Sequence, residues 1–238
     1  MPESSVIVTA CDRTIGLWDT ISLKNVGKLV GHKDEIRALH THDNYLFSAG
    51  KGNSSAGSLI VWDIRQQLTP ILEREKGCDL FSLFGFNNVL YYGGRSHKVG
   101  RLSIPDFETL PPFTPPHYDT VTAITAIQNT ILSGSRDKNI KRWSLDSTEV
   151  NTGNIIGAHQ DWVNALETDF EDTHTYSAGK DGKIRVWHVN DVLECVTELK
   201  EHTSSVNCLA KIQGGTKSFV SASSDKCIKL WQQQPSSS

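Results

Sequence analysis

No stretch of this 238-residue chain approaches the ~20 consecutive apolar residues of a membrane-spanning helix. Its start has neither a basic flank nor a long apolar run, so no secretory signal is read there. Charge of one sign is also missing. The 24 Lys and Arg against 27 Asp and Glu leave a net charge of −3. No basic run occurs, so the field that draws in nucleic acid is absent. Cysteine is sparse and odd in number: Cys11, Cys78, Cys195, Cys208 and Cys227, with no C-x-x-C. That excludes a disulfide framework and reads as the reduced thiols of a cytosolic protein. Cys208 and Cys227 fall inside strand patterns and read as small core residues. The phosphate-loop candidate Ser48–Ser55 lacks the G-x-x-x-x-G-K-S/T spacing and sits in a hairpin, so no nucleotide is expected there. The sequon at Asn53-Ser54-Ser55 is idle in a cytosolic protein.

What is present is a period. SGSRDKNIKRW (Ser133–Trp143) returns as SAGKDGKIRVW (Ser177–Trp187) and SASSDKCIKLW (Ser221–Trp231). Each copy reads as a strand, a polar turn carrying Asp, and a second strand ending on Trp. Trp18, Trp62, Trp143, Trp187 and Trp231 stand 44, 81, 44 and 44 residues apart. The gap of 81 holds a disguised copy, YGGRSHKVGRL (Tyr92–Leu102), with Tyr92 for Ser, Ser96 for Asp and Leu102 for Trp. Six copies at roughly 40–45 residues have the spacing of four-stranded propeller blades. The pairs Gly31-His32, Trp18-Asp19 and Trp62-Asp63 resemble the GH…WD signature of WD-repeat (WD40) β-propellers. That resemblance implies an all-β propeller of four-stranded antiparallel blades over residues 1–231, followed by a polar tail, 232–238.

Strand by strand, the first copy (Val6–Gly31) has no room for its inner strand, and the last ends on Trp231 without an outer one. Four complete blades and two of three strands make 22 strands, where a seven-bladed ring needs 28. The six missing strands would be contiguous before residue 1. The chain is therefore expected to be the C-terminal part of a longer seven-bladed ring, or else an irregular or six-bladed one. Open strand edges invite pairing with another chain. The second copy carries a Gly/Ser insertion between its second and third strands, read as a surface loop. The third copy is worn: Glu75-Lys76-Gly77-Cys78 replaces the GH element, and the softest packing is expected there. It ends in PDFETLPPFTPPHYD, an outer-edge strand or rigid connection, or a P-x-x-P ligand at Pro112–Pro115.

Blades four to six each carry His, Ser, Asp and Trp: His117, Ser133, Asp137, Trp143; His159, Ser177, Asp181, Trp187; His202, Ser221, Asp225, Trp231. A threefold repeat at blade spacing argues against a hydrolase triad, which would occur once. In the resembling family these groups form a buried chain, indole to Ser to His to Asp. Blade two retains His32, Ser48 and Trp62. His40 and His42 would share one strand face. No third ligand stands at a metal spacing, so they read as polar loop residues. No catalytic residue, metal or cofactor is expected.

The resemblance also implies partner contacts three residues after the His (Glu35, Thr120, Trp162, Ser205) and just before the turn Asp (Arg136, Lys180, Ser224, with Arg95 in the worn blade). Trp162 stands outside the quartet of its own blade, and Trp and Arg dominate interface hot spots. The expected patch is Trp162, Arg136, Lys180, Tyr118, Arg95 and Glu35, facing a protein or peptide that is acidic or phosphorylated. The alternative is that Trp162 packs between blades. The run from Pro115 to Leu166 resembles the C-terminal propeller of kinesin-4 family motors. That implies a cytoplasmic, cytoskeleton-associated scaffold contacting cargo, regulators or microtubule-associated partners. The alternatives are the substrate-recognition propeller of a ubiquitin ligase or the targeting propeller of a myosin heavy-chain kinase.

Overall fold

The computed structural model describes residues 6–51, 57–65, 69–145, 151–169, 171–189, 193–212 and 218–232. The Gly/Ser insertion at 52–56, its sequon and the tail from 233 lie outside them. Among the described residues every regular element is a strand, and the strands form six antiparallel sheets. The chain divides into two compact units, Met1–Ser96 with Gly100–Pro111, and His97–Val99 with Pro112–Ser238.

The first unit begins with a three-stranded sheet, β1 (Val6–Cys11), β2 (Thr14–Asp19) and β3 (Asn25–Val30). Sheet two is β4 (Ile36–His42), β5 (Tyr45–Gly50), β6 (Ser58–Asp63) and β7 (Pro70–Glu75). Sheet three is β8 (Leu80–Phe86), β9 (Val89–Gly94), β10 (Val99–Ser103) and the two-residue β11 (Thr109–Leu110). In the second unit, sheet four is β12 (Val121–Ile127), β13 (Thr130–Ser135), β14 (Ile140–Ser144) and β15 (Asn151–Ile155). Sheet five is β16 (Val163–Thr168), β17 (His174–Gly179), β18 (Ile184–Val189) and β19 (Leu193–Leu199). Sheet six has three strands, β20 (Val206–Lys211), β21 (Ser218–Ser223) and β22 (Ile228–Gln232). Among the described residues the first sheet has no inner strand and the last no outer one, in line with the strand reading. Gln232, read as tail, closes β22.

Strand alternation puts one face of each sheet against the next. Ile15 and Leu29 pack on Ile36, Leu46 and Trp62 of sheet two. Phe47, Leu59 and Val61 pack on Leu80, Leu83, Leu90 and Leu102 of sheet three. In the second unit Leu132 and Ile140 meet Val163, Leu166 and Trp187. Tyr176 and Ile184 meet Val206, Leu209 and Phe219. Two irregularities repeat. Each inner strand slips register after its first residue, at Ile36, Leu80, Val121, Val163 and Val206. Each described outer strand from sheets one, two, four and five slips at the Trp. A bulge re-aims the side chain beside it. The bulged residues Thr122 and Asn164 hydrogen-bond Val163 O and Val206 O of the following sheet.

The worn blade is not softly packed. Leu80, Leu90 and Leu102 are fully buried, and Leu102 fills the place of the Trp with apolar volume alone. Exposure concentrates instead on the terminal sheets, along β1 and β22. The proline-rich connection is anchored at Phe113 and through its carbonyls, while Pro112 and Pro115 are themselves exposed. Phe113, midway between Pro112 and Pro115, is buried and stacks on Trp143 with centroids 5.0 Å apart and an interplanar angle of 9°. The buried Lys141 Nζ donates to the carbonyls of Pro115 (3.0 Å) and Pro116 (2.7 Å). Removing the ring leaves a cavity against Trp143, so Phe113→Ala is expected to lower stability by about 3–5 kcal/mol. Urea denaturation followed by tryptophan fluorescence measures this; a loss below about 1 kcal/mol would show that the connection is not packed as described.

Candidate functional site

The repeated polar residues meet as chains of hydrogen bonds. In blade four the Trp143 indole N–H donates to Ser133 Oγ at 2.9 Å, His117 Nε2 lies 2.8 Å from the same oxygen, and His117 Nδ1 lies 2.8 Å from Asp137 Oδ2. Blades five and six repeat this. Trp187 to Ser177 is 2.8 Å, Ser177 to His159 2.7 Å and His159 to Asp181 3.0 Å. Trp231 to Ser221 is 2.8 Å, and Ser221 to His202 and His202 to Asp225 are each 2.7 Å. The hydroxyl can accept from the indole and donate to an unprotonated imidazole nitrogen, whose other N–H then donates to the carboxylate. Each Asp also accepts backbone N–H bonds on both sides of its turn, such as Tyr118 (2.9 Å) and Asn139 (3.0 Å) on Asp137. Burial alone would raise the Asp137 carboxyl. His117 and those N–H groups outweigh it and bring the pKa to about 2. Asp181 and Asp225 are lowered in the same direction. No serine in this set faces a cleft; the arrangement ties the turn between the two middle strands to the loop entering the inner strand.

Three blades meet the same demand differently, and sequence reasoning missed how. In blade two Ser58 takes the place of Asp, with Oγ 2.8 Å from His32 Nδ1, while Ser48 bridges His32 (2.7 Å) and Trp62 (2.8 Å). In blade three Lys76 and Tyr92 stand where His and Ser stand elsewhere. Lys76 Nζ donates to the phenol at 3.2 Å and lies 4.4 Å from the ring centroid. The ring fits because Gly100 lies beneath it: a Cβ there would come within 2.3 Å of Tyr92. In blade one Thr9 Oγ1 accepts the Trp18 indole N–H at 2.8 Å. The signal was available, since Lys76 lies four residues before its strand start, as each blade histidine does.

The two expected partner-contact sets are brought together pairwise. The carbonyl three residues after the His accepts from the N–H of the residue before the turn Asp. This joins Glu35 to Lys51 (2.9 Å), Asp79 to Arg95 (3.0 Å), Thr120 to Arg136 (2.9 Å), Trp162 to Lys180 (2.8 Å) and Ser205 to Ser224 (2.9 Å). Thr120 itself is buried and offers no surface. Trp162 is half-buried, with the Arg136 guanidinium 4.2 Å from its ring centroid and Lys180 Nζ at 3.9 Å. Lys180 also lies 3.7 Å from Asp161. Tyr118 is 85% exposed, one residue after the network's His117. Glu35 and Arg95 belong to the other unit. Glu35 pairs with Arg37 at 3.0 Å, and Arg95 pairs with the buried Asp79 at 3.2 Å.

Other expectations are corrected. Cys208 is exposed on β20, and Cys227 is exposed in the turn before β22, so neither is a core residue. All five cysteines are free thiols. His40 and His42 lie on β4, not in a loop; His40 packs on Phe84 with centroids 5.2 Å apart. Among the described residues no three His, Cys, Asp or Glu side chains group as metal ligands. No helix there is long and apolar enough to cross a membrane.

A family model for the WD domain, G-beta repeat, matches residues 23–63, 151–188 and 193–232, half of the chain. The chain belongs to the WD-repeat family. This WD-repeat chain is 29% identical over 240 residues to kinesin-like protein KIF21B of Mus musculus, covering 98% of itself. It is 25% identical over 231 residues to kinesin-like protein KIF21A of Homo sapiens, covering 97%. It spans 12% of the length of each. Over 121 residues it is 32% identical to the ribosome biogenesis protein WDR12 homolog of Trichoplax adhaerens, covering 48% of this chain and 27% of that one. WD-repeat propellers generally serve as protein-interaction scaffolds.

The blade-two variation has a pH consequence. Burial, with no carboxylate partner, lowers the His32 imidazole to about 4. Burial first, then the charge of His42, lowers His40 to about 4. Both folded values lie below the unfolded value near 6.5. Their stabilisation is therefore fully present above about pH 6.5 and lost as pH falls toward 4. The expected loss is on the order of 1–2 kcal/mol for each, allowing for solvent screening. Ser58→Asp gives His32 the carboxylate that the other blades have. Urea titrations at pH 7.5, 5.5 and 4.5 should show a smaller loss in that variant than in the wild type; an equal loss would contradict the assignment.

Proposed function

We propose that this WD-repeat chain is a non-catalytic interaction module of a kinesin-like protein. It would contact cargo, regulators or microtubule-associated partners in the cytoplasm, in association with the cytoskeleton. The observation that carries the reading is the Trp162 indole with both Arg136 and Lys180 against its ring, and the exposed Tyr118 ring on the same unit. An indole contacted by two cations is a preorganised anchor, and Trp and Arg are the residue types that concentrate binding energy. The positive charge of Arg136 and Lys180 beside the ring favours an acidic or phosphorylated segment, which Arg can engage by charge-assisted hydrogen bonds. The kinesin-like assignment is supported by the match of those relatives to nearly the whole chain.

The test uses immobilised wild type, Trp162→Ala, and Arg136→Glu with Lys180→Glu. Capture from cytosol is compared by quantitative mass spectrometry, and the captured partners are rebound in pure form. Arrays of acidic, phosphorylated and neutral peptides report the chemistry. Both variants are expected to lose at least about tenfold in affinity, with unchanged circular dichroism. Unchanged partner recovery would remove the patch. Equal binding of neutral peptides would remove its preference for negative charge.

A further inference from the structure

At the end of sheet five opposite its Asp turn, two histidines face each other. His174 opens β17, His188 lies near the end of β18, and the two are register partners. The bonds from Val189 N–H to Thr173 O (3.1 Å) and from Gly179 N–H to Lys183 O (3.0 Å) mark the hydrogen-bonded pairs of this ladder. Such pairs alternate with non-bonded ones, so His174 and His188 form a non-bonded pair, the kind in which opposite side chains approach closest. Their ring centroids are 5.1 Å apart, with the planes inclined at 59°. The same register position holds Tyr45 and Asp63 in sheet two, Thr130 and Ser144 in sheet four, and Ser218 and Gln232 in sheet six. The histidine pair is therefore no part of the repeated pattern.

The connection before β17 differs as well. In sheets two, three and four, two residues separate the inner strand from the next, whereas residues 169–173 separate β16 from β17. The longer connection brings the buried Asp169 onto His174. Asp169 Oδ1 accepts the Thr173 N–H at 2.8 Å, and Oδ2 accepts the Thr173 hydroxyl at 2.7 Å. His174 Nδ1 lies 3.1 Å from the same Oδ2 and 2.8 Å from the hydroxyl oxygen. A carboxylate only accepts, and the hydroxyl has already given its proton, so His174 Nδ1 carries the hydrogen. That leaves a lone pair on Nε2 of a side chain that is 21% exposed. Among the described residues no hydrogen bond holds the half-buried His188 ring.

We propose that His174, through Nε2, and His188, through a ring nitrogen, together hold a Zn²⁺ ion whose remaining positions are filled by water. Two imidazoles on one tetrahedral Zn²⁺, each with a Zn–N bond of about 2.0–2.1 Å, have ring centroids about 5 Å apart, the separation this pair already has. A zinc-binding histidine is commonly oriented by a carboxylate that accepts its other N–H, and Asp169 supplies that carboxylate. Imidazole nitrogen suits Zn²⁺ and the neighbouring late transition metals, whereas Mg²⁺ and Ca²⁺ take oxygen ligands. The exposed Glu194, register partner of His188 on β19, adds negative charge beside the ion. The site lies within sheet five and is independent of the Trp162 patch.

Isothermal titration of the full chain with Zn²⁺ tests this. The wild type is expected to take up one more ion per chain than His188→Ala or His174→Gln, with micromolar affinity. Zn²⁺ bound by the exposed thiols appears equally in all three and cancels. Asp169→Asn keeps both imidazoles and is expected to bind that ion at least about tenfold more weakly, with circular dichroism confirming that each variant folds. Long-range proton–nitrogen NMR spectra of the wild type should show His174 Nε2 and the His188 ring shifted by the ion while His174 Nδ1 keeps its proton. Equal uptake by the wild type and the two histidine variants, binding by Asp169→Asn as tight as by the wild type, or Zn²⁺ that shifts neither ring would each overturn the proposal.

Discussion

Four of the blades depend on one buried hydroxyl each, Ser48, Ser133, Ser177 and Ser221. An indole N–H turned into the interior must find an acceptor, because a buried donor left unpaired costs about 1–3 kcal/mol. Ser133, Ser177 and Ser221 supply that acceptor and pass the connection to a histidine on a different segment of the chain. The histidine's second nitrogen reaches the turn Asp, whose remaining lone pairs accept backbone N–H bonds. One strand end, one turn and one incoming loop are thereby fixed relative to each other. The network acts as a unit, since its members are polarised by one another in a low-dielectric setting.

The proposed function rests on what this holds still. The turn residue before the Asp and the residue three after the His are joined by a backbone hydrogen bond in blades four to six, and the equivalent positions are joined in blades two and three. Arg136, Trp162 and Lys180 occupy such positions, so their stacking is built on ordered backbone and not on free loops. Preorganised side chains lose less freedom on binding, which is how a small patch can anchor a partner. Blades two and three show that the tie can be made with other chemistry. Ser58 replaces a carboxylate, and Lys76 with Tyr92 replaces histidine with serine. The substitution in blade two leaves His32 without a charged partner, and that blade carries the resulting sensitivity to acid.

The strand plan was legible because period two and the recurring Ser, Asp and Trp mark the same places in every clear copy. The repeat at Tyr92–Leu102 could be found from spacing alone, although its side chains differ. What composition could not show was how a mismatched copy packs. Leu102 and Tyr92 look like lost function in a row of letters, but Gly100 makes room for the phenol and apolar burial replaces the indole. The cysteines were misread for a related reason: strand membership does not say which face a residue takes, and Cys208 faces out. The bulges after Val121 and Val163 were invisible, since a one-residue slip leaves no compositional trace. The meeting of Arg136 with Trp162 was legible only as two positions with a common rule; the stacking itself needed coordinates.

The central claim is that the serine hydroxyl, and not the aromatic volume around it, secures each blade that pairs a Trp with a buried Ser. Ser133→Ala tests it most directly, because the substitution removes one oxygen and leaves Trp143 and His117 in place. Equilibrium denaturation should show a loss of about 2–4 kcal/mol, and the Trp143 indole N–H should exchange faster with solvent deuterium than in the wild type. A loss within about 0.5 kcal/mol with unchanged indole protection would contradict the account.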